Sequence, residues 1–488
     1  MSNRLDFEKE LFTNSKVLVV NPLLTNWSYQ LTCEAALRAS KISANVTWIN
    51  VSPYQPKRYF LNKGDFNSRI VYQNPLKKIS RLLHEAGIEV KNVCDIENIT
   101  IKTALEFKTV EELRAYRTEE IPLGAIVYSA VVSVKRSTAI SLDKDANLIN
   151  HFLNFVTKTL YRLEKEILGS SPDLIVSIND RLPGSALAVA LAQKWGIKLS
   201  ILYWGSDPKR VIDYSKSLYD SSQWQSRIKV KWELNKPSEI EQRELRIEIN
   251  DLAVNPSSDS QTFLKNQLKG KSLAKSNYMV VFYAQSEHEH SSTYLEGIEG
   301  RFTNQYEAFK ALERVCERLH FDLVLKLHPN RFDSTSTIDS ELEQNEWTDK
   351  ISRKTKVIAK NSDVDTYQLL NDADLNVVWN STVGVESFAR AKPTLVLGNA
   401  HWLNLEWNTH AWNEPQLLSR IQNNFWPAGP EELLPWFWYL KEFGVSCQYA
   451  FLDAGLKISG EIIIRQRFVY RFFYYVKPRI AALINKVK

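Results

Sequence analysis

The sequence is poor in several features that would assign a protein to a specialised class. It has only 16 glycines in 488 residues, which argues against a collagen-like chain and against a glycine-rich phosphate-binding loop. Its cysteines, Cys33, Cys94, Cys316 and Cys447, are far apart and form no C-x-x-C pair. That spacing excludes a dense disulfide framework and a structural zinc site of the usual kind, and it is typical of a reducing compartment.

Long hydrophobic runs and a large charge of one sign are also absent. No run of 18 or more apolar residues appears, and the polar first 16 residues lack the order of a secretory signal, so we expect a cytoplasmic protein. The 62 Lys and Arg residues against 56 Asp and Glu give a net charge of +6, which is too small to indicate a nucleic-acid-binding protein. The length suits two or three domains.

Short apolar runs alternate with longer amphipathic segments along both halves of the chain, the pattern of a parallel sheet flanked by helices. The fold class is therefore α/β, with two Rossmann-like doubly wound domains facing a cleft, where such sheets bind ligands. We predict an N-terminal domain over residues 1–208 and a C-terminal domain over 277–445. A polar linker (209–276) joins them, and a basic, aromatic helical segment (446–488) follows.

The first candidate site is the segment WNSTVGVES, residues 379–387, which follows an apolar strand and opens a helix. Ser381 and Thr382 fall at the helix start, where free backbone N–H groups and hydroxyls form an anion site. Gly384 allows close backbone approach, and Glu386, one turn further, can accept hydrogen bonds from a ribose diol. The alternative is an ordinary capped helix, for which Ser and Thr are common choices.

The second candidate is LVLKLHPN, residues 323–330, in which His-Pro ends a buried strand. His328, with Lys326 two residues before it, can donate to a nucleotide phosphate or protonate it as it leaves. The alternative is a histidine that faces solvent. Asn361 lies in a polar loop predicted at the same edge. We expect the two strand ends to be neighbours that bind one phosphate.

Taken together, these motifs resemble the nucleotide-binding half of GT-B glycosyltransferases. The order K-x-H-P, D-x-x-x-L-L-x-x-A-D, N-S-T-V-G-x-E and A-K-P-x-L-V-L-G, within residues 278–398, is most similar to enzymes of bacterial capsule and surface polysaccharides. These include Kdo-transferase and sialyltransferase-like groups, and CDP-glycerol polymer transferases are similar too. The resemblance implies that His328, Ser381 and Thr382 contact the donor phosphate and that Glu386 contacts the ribose. Val378 stands where retaining members carry a second glutamate.

By the same resemblance the N-terminal domain binds the acceptor, and its base is expected just after the strand at residues 173–178. Asp180 is the candidate, with helix capping as the alternative. His288 and His290 lie in a loop without a third ligand nearby, so we predict neither a metal nor a cofactor beyond the nucleotide-sugar substrate.

The resulting hypothesis is a glycosyltransferase that moves a sugar from a nucleotide donor, favoured as a CMP-sugar, to a surface-polysaccharide or lipid-linked glycan. A nucleotide-sugar 2-epimerase, a CDP-glycerol-type transferase and a non-catalytic scaffold are the alternatives. The segment 461–488 holds seven basic residues among aromatics and one glutamate, which favours either peripheral contact with the inner face of the plasma membrane or packing on the domain.

Overall fold

The structure is a computed structural model, and it divides into two compact units. The first comprises Met1–Val127, Ala146–Ser217 and Gly444–Lys488, and the second comprises Tyr128–Asp145 and Leu218–Phe443. The parts of the chain that the structure describes are residues 12–22, 26–42, 44–51, 68–92, 103–135, 140–204, 210–214, 221–254, 277–285, 301–328, 350–359, 362, 364–398, 400, 402, 409–423, 429–442, 445–452, 455–459 and 461–465. Each unit is built on its own mainly parallel sheet, so the prediction of two doubly wound α/β domains is confirmed.

The first unit has a mainly parallel sheet whose central strands are covered on both faces. Its strands are β1 (Lys16–Asn21), β2 (Asn45–Asn50), β3 (Glu89–Asn92), β4 (Leu174–Ile178), β5 (Lys198–Trp204) and β6 (Arg210–Tyr214). Its helices are α1 (Asn26–Lys41), α2 (Ser68–Glu85), α3 (Val110–Ala115), α4 (Leu123–Lys135, which continues into the second unit), α5 (Ala146–Ser170) and α6 (Pro183–Lys194). Every residue of β4 is buried, which is why its sequence LIVSI is a continuous apolar run rather than an alternating one.

The second unit holds a five-stranded, wholly parallel sheet. Its strands are β7 (Met279–Tyr283), β8 (Asp322–Lys326), β9 (Lys356–Ile358), β10 (Leu375–Val378) and β11 (Thr394–Val396). Its helices are α7 (Ser221–Leu234), α8 (Glu239–Val254), α9 (Gln305–Leu319), α10 (Thr366–Asp372), α11 (Val383–Ala389), α12 (Glu414–Gln422) and α13 (Leu434–Glu442). None of the helices within the described ranges is long and apolar enough to cross a membrane.

In both sheets the first strand lies in the interior, so the strand order reverses beside it. The first sheet runs β12-β6-β5-β4-β1-β2-β3, where β12 is Val445–Ser446, and the second runs β11-β10-β7-β8-β9. The order therefore reverses between β1 and β4 in one unit and between β7 and β10 in the other. Doubly wound sheets bind ligands outside the carboxyl ends of the strands at such a point.

The residues predicted as a linker, 209–276, instead belong to the two units wherever the structure describes them. Strand β6 extends the first sheet antiparallel to β5, with Tyr214 opposite Ile201. Helices α7 and α8 pack in the second unit, where Leu245 and Ile249 are buried in its core. Leu245 and Ile249 are four residues apart and therefore lie on one face of α8. Because only this narrow stripe is buried, the rest of the helix is polar.

The predicted C-terminal helical segment, 446–488, is wrong over its described part. Residues Ala450–Leu452 (β13), Gly455–Ile458 (β14) and Glu461–Arg465 (β15) form an antiparallel three-stranded sheet in the first unit. The run Glu-Ile-Ile-Ile favours a strand because β-branched side chains fit a pleated surface. Residues 466–488, which carry the basic and aromatic part of the prediction, lie outside the described residues.

A carboxylate on α1 holds this C-terminal sheet. Glu34, 2% exposed, accepts hydrogen bonds from three consecutive backbone N–H groups, those of Gln448 (2.6 Å), Tyr449 (2.7 Å) and Ala450 (2.8 Å). It also pairs with Arg38 one turn along the helix, with 2.7 Å between Nε and Oε1. These bonds join α1 to residues more than 400 positions later in the chain and attach the C-terminal strands to the rest of the first unit.

Candidate functional site

The residues predicted to bind phosphate lie at the carboxyl edge of the second sheet, but their strands are not neighbours. Lys326 ends β8 and His328 follows it, while Ser381 and Thr382 follow β10. Strand β7 lies between β8 and β10, so the expectation of adjacent strand ends is wrong. Two strand spacings separate the ends by roughly 10 Å, and a ligand that contacts both must pass the end of β7. Asn361 lies outside the described residues.

The turn after β10 is held by Ser381. This side chain is buried, and its Oγ accepts a hydrogen bond from the backbone N–H of Val383 at 3.3 Å, while its carbonyl accepts from Gly384 at 3.0 Å. Thr382, the N-cap residue, is exposed and makes no side-chain capping bond. The two backbone N–H groups are thus satisfied inside the protein, as the capped-helix alternative expects, and the Thr382 hydroxyl is the group that faces solvent.

Gly384 serves close packing inside the unit. A Cβ atom at this position would lie 2.5 Å from the indole ring of Trp402 and 3.0 Å from Val378. Trp402 is itself buried and meets Phe388 edge-to-face at 5.8 Å between ring centroids. The missing side chain of Gly384 therefore lets the start of α11 rest on Trp402, rather than opening a path for a ligand.

Glu386, one turn into α11, is part of a group of interacting side chains. Tyr367 of α10 makes a side-chain hydrogen bond to it, and Arg390 attracts it electrostatically. Burial raises the pKa of the Glu386 carboxyl, while Arg390 and the Tyr367 hydroxyl oppose that rise. Neither partner carried a signal in the sequence beyond its place on an amphipathic helix.

Lys326 is the most unusual charged group at this edge. It is 3% exposed, and its Nζ lies 3.5 Å from the carbonyl oxygen of Ala359. Burial lowers the pKa of its ammonium group to about 8, and no carboxylate of the described residues forms an ion pair with it. A buried ammonium without a counter-ion is costly, and an anionic ligand would relieve that cost.

Replacing Lys326 with methionine is expected to stabilise the ligand-free protein at pH 7 by up to about 3 kcal/mol, from the size of its pKa depression. Because the folded state prefers the neutral amine, the wild-type penalty is present below pH 8 and disappears as the pH rises towards ~10.4. The measurement is the melting temperature of K326M against wild type from pH 6 to 10.5. Lys356→Met, at an exposed position on β9, is the control and should show no such trend.

In the first unit, Asp180 lies at the point where the strand order reverses. It follows β4, beside β1, and is 6% exposed. The helix-capping alternative for Asp180 does not hold, because the N-cap residue of α6 is Leu182, which makes no side-chain capping bond. The turn is instead shaped by Asn179, whose φ is 48° and whose Oδ1 accepts from the backbone N–H of Arg181 at 3.1 Å.

The strand ends around Asp180 are fixed by buried polar contacts. Asn21 at the end of β1 donates to Asn50 at the end of β2 at 2.9 Å and accepts from Ser28 at 2.6 Å. Within β4, three residues before Asp180, the hydroxyl of Ser177 donates to the carbonyl of Val20 at 3.1 Å. These bonds tie β1, β2 and β4 together where they reach the sheet edge, so Asp180 is carried by a rigid part of the fold.

A comparison with protein families gives a match over the part of the chain that contains the carboxyl edge of the second sheet. Residues 263–407 match the family model described as "Capsule polysaccharide biosynthesis protein". This segment matches the capsule polysaccharide biosynthesis family. The resemblance to capsule-polysaccharide proteins that the motifs predicted is confirmed for this segment. The match includes Lys326, His328, Ser381 and Glu386. No curated protein sequence gives a match.

The structural comparison matches several solved structures at low similarity. The Thermosulfurimonas dismutans KpsC beta Kdo 2,7 transferase is 12% identical, with a TM-score of 0.35 over 61% of this chain and 87% of that one. The Methanocaldococcus jannaschii UDP-GlcNAc 2-epimerase, in complex with UDP-GlcNAc and UDP, is 12% identical, with a TM-score of 0.27 over 86% and 97%. A Rickettsia africae glycosyltransferase is 11% identical, with a TM-score of 0.26 over 88% and 93%.

The capsule-family match leaves Asp180 and the first unit outside it. Among the described residues there is no cluster of three or more His, Cys, Asp or Glu side chains arranged to hold a metal ion. The loop with His288 and His290 lies outside those residues, so the expectation of a metal-free site stays a prediction.

Proposed function

We propose that the protein is a glycosyltransferase of capsule or surface-polysaccharide synthesis that uses a nucleotide-activated sugar. The observation that carries the proposal is the buried Lys326 at the carboxyl edge of the second sheet, which has no ion-pair partner among the described residues and lies inside the segment that matches the capsule family. It lies two residues from His328, at the same edge as the Ser381–Thr382 turn. A cation and hydroxyl donors fixed at one sheet edge suit the phosphate of a nucleotide.

In this proposal the second unit binds the donor. Lys326, His328 and the hydroxyl of Thr382 contact the phosphate, Asn361 is a further predicted contact with the nucleotide, and Glu386 accepts from the ribose. Ser381 holds the turn and contributes its hydroxyl. Because the phosphate gains negative charge as the bond to the sugar breaks, fixed donors that stabilise this charge lower the barrier without a metal.

The first unit supplies the base. Asp180 takes the proton from the acceptor hydroxyl as its oxygen forms the new bond to the anomeric carbon, while the bond from that carbon to the phosphate oxygen breaks. A CMP-sugar is the proposed donor and a surface-polysaccharide or lipid-linked glycan the proposed acceptor. Peripheral membrane contact through residues 461–488 belongs to the same proposal.

A thermal-shift panel of CMP, UDP, GDP and CDP tests the donor site, since a ligand that binds only the folded state raises the melting temperature. We expect His328→Ala and Ser381→Ala each to weaken binding of the active nucleotide about tenfold or more, because each removes a hydrogen bond to a charged group. The measurement is the dissociation constant for that nucleotide.

Two matched controls separate binding from folding. His320→Ala changes an exposed histidine at the opposite end of β8, and Ser387→Ala removes a buried hydroxyl of α11 that bonds Thr394 at 2.6 Å. Both controls should keep wild-type affinity. Unchanged affinity in His328→Ala and Ser381→Ala would contradict the donor site, and turnover of a nucleotide sugar without any acceptor would favour the epimerase instead.

A further inference from the structure

The Glu386 carboxyl is held by two side chains that the proposed function does not use. Tyr367, on α10, donates its hydroxyl to Glu386. Arg390, which directly follows the last residue of α11, places its guanidinium over the Tyr367 ring, 4.8 Å from the ring centroid. Its Nη1 also donates to the backbone carbonyl of Glu386 at 3.4 Å. Each of the three residues therefore contacts the other two.

This group is assembled by the fold before any ligand arrives. Tyr367 is buried, and the first turn of its helix is capped by Asp365, whose Oδ1 accepts from the backbone N–H groups of Tyr367 (2.8 Å) and Gln368 (3.0 Å). Arg390 follows the last residue of α11, and its backbone N–H donates to the Glu386 carbonyl at 3.3 Å. A phenol anchored at a capped helix start is a fixed donor, which keeps the carboxylate in one orientation.

Electrostatic effects also link Glu386 to Arg390 and Tyr367. Burial raises the pKa of the Glu386 carboxyl, and Arg390 and Tyr367 are the groups that lower it. Burial raises the pKa of Tyr367 too, and Glu386 adds to that rise, so the phenol stays a neutral donor at ordinary pH. Tyr283 on β7 is also near, and its pKa is raised by burial and by Glu386.

Other charged groups surround these helices. Asp365, the N-cap residue of α10, acts on Tyr367, and Asp372 at the end of α10 acts on Tyr283. Helix α8 and the short helix Pro430–Leu433 pack against α11 and carry the Arg246–Glu431 pair and Glu432. Of the described groups, only Arg390 and Tyr367 act on the pKa of Glu386 besides burial.

We infer that Tyr367 and Arg390 are positioning residues that orient the Glu386 carboxylate for the ribose hydroxyls of the bound nucleotide. The inference rests on the proposed function, because it names what holds the ribose-contacting group of that site. It has a direct consequence for pH dependence. A carboxylate must be ionised to accept from both hydroxyls of a diol, so affinity falls as the pH drops through the pKa of Glu386.

The test compares Tyr367→Phe with Tyr283→Phe. Both changes remove the hydroxyl of a buried tyrosine, but that of Tyr283 donates to Asn376 at 3.1 Å rather than to Glu386. For CMP and UDP, we expect Tyr367→Phe to weaken binding about tenfold at pH 6 and less at pH 8, because the loss of the hydrogen bond raises the pKa of Glu386 further. Affinity for the 2′-deoxy analogues should change less. Tyr283→Phe should keep the wild-type pH profile.

A second readout needs no nucleotide. Because the pKa of Glu386 is raised in the folded state, its contribution to stability is present at acid pH and is lost as the pH rises through that pKa. Tyr367→Phe raises the pKa of Glu386 further and so enlarges this loss of stability. The melting temperature of the variant should therefore fall further below that of wild type at pH 8 than at pH 5. The deficit of Tyr283→Phe should not vary over this range. Glu432, whose pKa is also raised by burial, is common to all variants and cancels in the comparison.

The two readouts separate the possible failures. If the pH trend of the Tyr367→Phe melting temperature equals that of Tyr283→Phe, Tyr367 does not act on Glu386, and the inference is overturned while the nucleotide site stands. If the trend appears but wild-type protein binds no nucleotide at any pH, the proposed function fails and the ribose role fails with it. If nucleotide binds and Tyr367→Phe leaves its pH profile and its preference for ribose over deoxyribose unchanged, the positioning role is wrong.

Discussion

Replacing Glu34 with alanine is expected to destabilise the protein by about 4 kcal/mol. The substitution removes the acceptor of three consecutive backbone N–H groups, those of residues 448–450, of which that of Ala450 is buried and the other two are partly buried. Each unsatisfied buried donor costs about 1–3 kcal/mol, and the guanidinium of Arg38 also loses its carboxylate. The measurement is the free energy of unfolding of the variant by chemical denaturation.

The matched control for this prediction is Glu85→Ala. Glu85 also pairs with an arginine four residues away on its helix, Arg81, but both side chains are more than half exposed. Exposed pairs of this kind contribute about 0.5 kcal/mol or less. Hydrogen exchange should also show that the amides of residues 448–450 lose protection in Glu34→Ala and keep it in Glu85→Ala. Equal costs in the two variants would mean that the C-terminal sheet does not depend on Glu34.

The central strands could be predicted because a strand that is buried on both faces is a continuous run of apolar residues in the sequence. The runs KVLVVN and LIVSI coincide with β1 and β4, and MVVFY with β7. The alternation of strand and helix patterns also predicted that Lys326, His328 and Ser381 lie at one edge of the second sheet, since the carboxyl ends of parallel strands meet there. Their separation by β7 could not be predicted, because strand order depends on crossover connections rather than on any local pattern.

The contacts that define the details of the site come from residues far apart in sequence. Trp402, which makes Gly384 necessary, lies 18 positions after it, and nothing in either segment indicates that they meet. Tyr367 occupies one more apolar position of an amphipathic helix, and only the packing of α10 beside α11 brings its hydroxyl to Glu386. The strands near the C-terminus were missed because the basic and aromatic residues after Arg465 dominate the composition of that segment.

Asp180→Asn is the change expected to reduce transfer activity most, by about 10²–10⁴-fold, the usual contribution of a general base. Asparagine has nearly the same shape but cannot take a proton from the acceptor hydroxyl. Because Asp180 belongs to the first unit and the proposed nucleotide contacts belong to the second, the affinity for nucleotide should not change. The measurements are the rate of sugar transfer at saturating donor and the dissociation constant of the nucleotide.

Asp173→Asn provides the comparison, because it alters an exposed carboxylate at the opposite end of the same strand, where Oδ2 accepts from the backbone N–H of Lys16 at 2.8 Å. We expect Asp173→Asn to lower stability slightly and to keep the wild-type transfer rate. A base also predicts an acid limb in the pH–rate profile of the wild type that Asp180→Asn removes. If both variants transfer sugar at the wild-type rate, proton removal is done by another group, and the position of Asp180 where the strand order reverses has no catalytic meaning.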